Sequence, residues 1–116
     1  MAYTTIDNPE LYFQTKIYTG NGSSSHAITL DGNSDLQPDW VWIKSRSNDT
    51  DHILTDIVRG VGVGIKSNTT AGNANDSNQL KSFNSDGFTL GSENDVNGSS
   101  RSYVSWNWVA GTSFSN

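Results

Sequence analysis

Carboxylates dominate the groups in this chain that could do chemistry, and their spacing limits what that chemistry could be. Asp31-x-Asn33-x-Asp35 has the alternating oxygens that open a calcium loop. The glycine that should follow and the closing bidentate Glu are missing, and Trp42 stands where that Glu belongs. The segment therefore reads as a turn held by local side-chain bonds to the backbone. Asn48-Asp49-Thr50-Asp51, followed by His52 and Asp56, offers oxygens and one imidazole. His26 and His52 are the only histidines, so a three-His zinc site is ruled out. The stretch is better read as a solvated loop. Hydrolysis of a glycoside needs two carboxyls facing one groove. Glu10 and Glu93, the only glutamates, sit in expected loops, and no spacing selects a pair from the ten aspartates.

Nucleophilic chemistry fares no better. Seventeen serines supply accidental Ser-His-Asp combinations, but no Gly-x-Ser-x-Gly elbow is present. Gly60-x-Gly62-x-Gly64 lacks the spacing of a dinucleotide fingerprint, so these glycines read as structural. Arg59 is expected to bond either Asp56, three residues before it, or a loop carbonyl. Asn48-Asp49-Thr50, Asn68-Thr69-Thr70 and Asn97-Gly98-Ser99 match the glycosylation pattern, which Asn-rich loops produce by chance. No catalytic residue, cofactor or metal ligand is assigned.

The elements that would position any site are strands. Trp40-Val41-Trp42-Ile43 follows the turn signal Gln37-Pro38 and is filled with β-branched and aromatic residues. Period two sends Trp40 and Trp42 one way and Val41 and Ile43 the other. Tyr103 to Val109 repeats the design, with Val104, Trp106 and Trp108 on one face. The two Trp-x-Trp strands are expected to be neighbours in one sheet. Their four indoles, each worth roughly 200 Å² of burial, are expected to form the structural core: Trp40, Trp42, Trp106 and Trp108. The competing use of such a row is an exposed platform for stacking sugars.

Further strands are expected at Thr15–Thr19 and His26–Leu30, possible partners in a hairpin, and across the bent segment Gly60–Ile65. Leu80–Phe83 and Gly87–Leu90 should form a hairpin turning at Asn84-Ser85-Asp86-Gly87. His52–Arg59 suits a strand or a short helix. A helical turn opened by Asp7 or Asn8, with Pro9 at its first position, is expected near the start. The remaining stretches, Lys66–Gln79 and Ser92–Ser100 among them, read as loops, the first with room for a weak strand. The expected architecture is an all-β, single-domain antiparallel β-sandwich, jelly-roll-like or lectin-like, with at most one short helix. Residues 1–13 form an N-terminal arm, 14–111 the sandwich and 112–116 a C-terminal tail.

Composition agrees. Only 33% of the residues are hydrophobic and 16% charged, with Ser, Asn, Thr and Gly making up the difference, the profile of short strands joined by many turns. The net charge of −5 and the lack of a basic cluster argue against a nucleic-acid surface. Without cysteine there is no disulfide and no thiolate metal site. No run has the length of a membrane span, and the start lacks a signal-peptide pattern, so membrane insertion is not expected.

Several blocks, in order, resemble a known module: Tyr18-Thr19-Gly20-Asn21-Gly22; Leu36 to Ser47 (LQPDWVWIKSRS); His52 to Gly60 (HILTDIVRG); Ser82 to Gly91 (SFNSDGFTLG); and Tyr103 to Trp108 (YVSWNW). Together they are similar to the repeat-like β-domain of tail-fibre and other tail-associated virion proteins of marine phages and cyanophages. The resemblance spans roughly Tyr12 to Gly111. It departs at Trp108-Val109-Ala110-Gly111, where Trp-Lys-Ala-Gly is usual. It implies a non-enzymatic virion structural protein, made in the host cytoplasm, that docks to other virion subunits as a tail-fibre, tail-associated or decoration module. A symmetric homo-oligomer is expected, a trimer being preferred. The alternative is a host-adsorption module binding a surface glycan through Tyr18, Asn21, Asn48, Asp49 and Asp51.

Overall fold

A computed structural model describes residues 7–110 and shows an almost entirely antiparallel β structure in two sheets. The strands are β1 (Phe13–Thr19), β2 (His26–Thr29), β3 (Trp40–Ser45), β4 (Ile53–Asp56), β5 (Val63–Lys66), β6 (Ala74–Asn75), β7 (Leu80–Asn84), β8 (Gly87–Leu90) and β9 (Ser102–Trp108). The larger sheet has the order β1-β9-β3-β4-β5-β6 and the smaller β2-β8-β7. One 3-10 turn, Pro9–Leu11, and one four-residue helix, α1 (Asn94–Asn97), complete the described elements. The arrangement is that of a β-sandwich. The expected tail, 112–116, and the first six residues of the expected arm lie outside the described residues.

The local chemistry explains most elements. Asn8 caps the first turn by accepting from the Glu10 backbone N–H, with Pro9 at the first helical position. β7 and β8 turn where Asn84-Ser85-Asp86-Gly87 predicts, and Gly87 is obligatory there: a Cβ would sit 2.0 Å from the Ile28 carbonyl oxygen of the paired β2. His52–Arg59 resolves as β4 and a turn. Gly60 and Gly62, at φ of +94° and +72°, then redirect the chain into β5.

Two expectations about the connections fail. β1 and β2 do not form a hairpin: β1 pairs with β9 and β2 with β8, in different sheets. The loop Gly20–Ser25 is long enough to pass between sheets, and β9 offers β1 a seven-residue partner. The loop 92–100 is not featureless, because α1 forms within it under a Glu93 cap.

The core lies between the sheets and is aliphatic and phenolic. It gathers Tyr18, Ile28, Leu30, Leu36, Val41, Ile43, Ile53, Leu80, Phe88, Leu90, Val96 and Tyr103. Tyr18 and Tyr103 stack with ring centroids 5.3 Å apart at 14°, and their hydroxyls tie down α1: Tyr18 donates to Val96 O, Tyr103 to Asn94 O. The expectation that Trp40, Trp42, Trp106 and Trp108 fill this core is overturned, because the smaller sheet covers the opposite face. Val41, Ile43, Tyr103, Ser105 and Asn107 point inward, and the indoles point out. The inner face of β9 is polar, and of the Asn107 amide there only the nitrogen is bonded; its buried Oδ1 has no partner among the described residues. Asn107 donates to Gln14 O and Ser105 Oγ, and Gln14 in turn donates to Glu10 O and Ser34 O.

Candidate functional site

The outer face of the larger sheet is built row by row from strand register. The first row runs Phe13, Trp108, Trp40, Asp56 across β1, β9, β3 and β4. The middle row runs Thr15, Trp106, Trp42, Leu54, Ile65. The third runs Ile17, Val104, Lys44. Alternation alone puts these residues on one face. Trp40 and Trp42 share a strand and stack at 6.4 Å, Trp40 stacks on Trp108 at 4.5 Å, and Trp42 meets Trp106 edge-on at 5.6 Å. Phe13 leans on Trp108 at 5.1 Å. The indoles are half-buried by one another, while Phe13 and Ile17 stand exposed. No described element lies over them.

Trp42, Trp106 and Trp108 enclose a shallow groove of about 240 Å³. A second depression, of about 350 Å³, lies at the first-row end between Trp40, Leu54, Ile65, Asp39, Asp56 and Arg59. Polar groups on this face are few and mostly committed. Trp42 Nε1 donates to His52 Nδ1 at 3.0 Å. Burial lowers the pKa of His52, with Lys44 beside it adding to the effect, so the ring is held neutral and accepting. Lys44 Nζ donates to the carbonyls of Asn48 and Thr50 and is in no ion pair among the described residues. Asp56 pairs with Arg59 at 2.7 Å, the first of the two partners expected for that arginine.

The other singled-out residues are dispersed. Tyr18 is 7% exposed and stacked in the core, so it cannot stack on a sugar. Its hydroxyl is pushed well above the usual tyrosine range, first by burial and then by Tyr103. Asn21 accepts from Ser23 N–H and from Asn97 Nδ2. Asn48 and Asp49 are exposed in the β3–β4 loop. Asp51 is taken up by Lys66 at 2.6 Å and Asn68 at 2.8 Å, which hold its carboxyl below the usual range. Asp31 is likewise paired with Lys16 at 2.7 Å, and Asn33 N–H is held by Glu10, which makes Asp31–Asp35 a bonded turn. Among the described residues no three metal-ligating side chains cluster.

Sequence reasoning missed Asn97. Fully buried, it donates to Asn21 Oδ1, Ser23 O and Gly91 O, accepts from Asn21 N–H and lies 2.8 Å from His26 Nδ1. It also missed the Trp42–His52 bond, whose only signal was an imidazole ten residues beyond an indole. No curated protein and no solved structure matches this chain. A family model described as "Domain of unknown function (DUF7483)" matches residues 8–116. With nearly the whole length covered, the chain belongs to the DUF7483 family.

Proposed function

We propose that this chain is a non-enzymatic docking module of a phage particle, and that it engages neighbouring virion subunits through the outer face of its larger sheet. One observation carries the reading: four indoles, Phe13, Ile17, Val104, Leu54 and Ile65 form a continuous apolar face with no described element over it. Apolar patches of that kind mark interaction surfaces. Half-buried aromatics ordered by mutual stacking also lose little side-chain freedom on docking. The phage setting comes from the block resemblance. In a phage that encodes this chain, a Trp106→Glu variant should fold but fail to assemble into particles, read by immunolabelling or image reconstruction. Normal incorporation of that variant would sink the proposal.

A second reading, adsorption to a host glycan, is favoured by the indole groove, whose size suits one sugar ring. It weighs less because a sugar needs hydrogen-bond partners around the stacked ring. Here the Trp42 N–H is already given to His52. A glycan array with hits that Trp106→Glu abolishes would promote it over the first.

A further inference from the structure

The docking reading leaves open what covers the outer face, and the register answers that for one occupant. The three rows differ in composition. The first holds Phe13, Trp108 and Trp40, the middle row adds Trp106 and Trp42, and the third, on the same strands, holds Ile17, Val104 and Lys44. Aromatic rings therefore fill two rows of the face, and the third carries none.

Charge is graded along the same direction. Beside the first row stand Asp39, Asp56 and Arg59, a net negative end in which Asp39 is in no ion pair among the described residues. At the third-row end stand Lys44 and Arg46, with Asp49 in the loop beyond them, a net positive end. Among the described residues the Lys44 ammonium is held only by carbonyls, and the Arg46 guanidinium only by the Ser102 hydroxyl.

We propose that the occupant is a second copy of this chain, packed face to face about a two-fold axis that lies along the middle row. That operation keeps each strand's place across the sheet and exchanges the two ends. It sets Phe13 over Ile17, Trp108 over Val104 and Trp40 over Lys44, ring over aliphatic chain, and along the axis it sets Trp106 on Trp106 and Trp42 on Trp42. Each Lys44 ammonium then lies on the Trp40 indole of the other copy, next to Asp39, where cation–π and ionic attraction act together. Such an interface is isologous and closes at two, unlike the three-fold assembly the sequence suggests.

The face covers twelve strand positions, four, five and three in successive rows, each about 4.8 Å by about 6.6 Å. That is on the order of 400 Å² per copy, so the pair buries roughly 800 Å², the size of a weak, transient interface. The dimer is accordingly concentration-dependent, and its affinity rests on the matched ends.

The test uses the full chain in sedimentation equilibrium from micromolar to several hundred micromolar. The wild type should pass from monomer to dimer and no further. Its indole emission should become less quenchable by acrylamide over the same range, a readout that needs no substitution. Lys44→Glu sets carboxylate on carboxylate, and Asp39→Lys sets ammonium on ammonium. Each alone should weaken self-association on the order of tenfold or more. Mixed together they restore both contacts, so an equimolar mixture should form a heterodimer at wild-type concentrations. Circular dichroism of each variant checks that it is folded.

A wild type that stays monomeric throughout, or assembles as a trimer, overturns the two-fold. So does a dimer indifferent to both charge reversals. If the chain is monomeric while Trp106→Glu still blocks assembly into particles, the docking reading stands and the second copy falls.

Discussion

His52 is bonded directly to an indole of the aromatic face, and its state follows from that bond. Because Nδ1 accepts the Trp42 indole N–H, the neutral ring carries its proton on Nε2. Burial and Lys44 lower its pKa, and Asp51 opposes them more weakly. Between the lowered value and the ordinary histidine value of about 6.5, the unfolded chain binds more proton than the folded one. Stability from this site is therefore complete above that range and is lost as pH falls through it. Protonation also removes the acceptor, freeing the Trp42 N–H beside a quenching imidazolium. Native-state indole emission should fall on acidification with a midpoint below about 6.5, and His52→Gln should abolish that step. A midpoint at or above the ordinary value would mean that the bond does not hold the ring neutral.

At the scale of elements, α1 shows what four residues need in order to stay helical. Glu93 caps it through a 2.6 Å bond from Asp95 N–H, Tyr18 and Tyr103 hold its carbonyls, and Asn97 anchors its end. The cap carries a penalty. Burial first, then the neighbouring Asp95 and Asp76, raise the pKa of Glu93 against the bond that lowers it. A raised carboxyl pKa means the folded chain holds the proton longer, so this site's contribution falls as pH rises through the carboxylate range. Glu93→Gln keeps an acceptor and removes the charge. It should raise the denaturation midpoint at pH 7 and leave it unchanged at a pH where the wild-type carboxyl is protonated. A lower midpoint at pH 7 would show that the charge-assisted cap outweighs its burial.

The same element explains what was legible. Both Trp-x-Trp strands, their adjacency and the β7–β8 hairpin could be read, because alternation, aromatic content and Asn-Ser-Asp-Gly act locally. α1 could not, since its stability comes from two hydroxyls distant in sequence. Nor could the partner of β1, because a glycine- and serine-rich loop permits either pairing. The face assigned to the indoles was reversed for a related reason. Period two separates the residues into two sets but does not say which set the second sheet covers. Asn107 and Ser105 made the covered set look like the wet one.

For the whole molecule, the consequence is a division of labour between two apolar layers. The layer between the sheets holds the fold: Phe88 is completely buried there and meets Tyr18 edge-on at 6.4 Å. The outer layer is half-buried and ordered chiefly by its own stacking. Phe88→Ala should therefore cost about 4 kcal/mol, the transfer and cavity penalty of a buried ring, a large share of a domain stability of roughly 5–15 kcal/mol. Trp106→Thr removes a larger ring but leaves no enclosed cavity and puts a good strand former in its place. It should cost about 1 kcal/mol, on the scale of one aromatic pair. Urea denaturation of the two variants, with equal m-values, separates the cases. Equal losses would make the outer indoles a second core, and a face needed for stability alone would have no call for a partner. A small loss leaves four costly aromatic side chains on a surface they do little to stabilise, which is the expected mark of residues kept for binding.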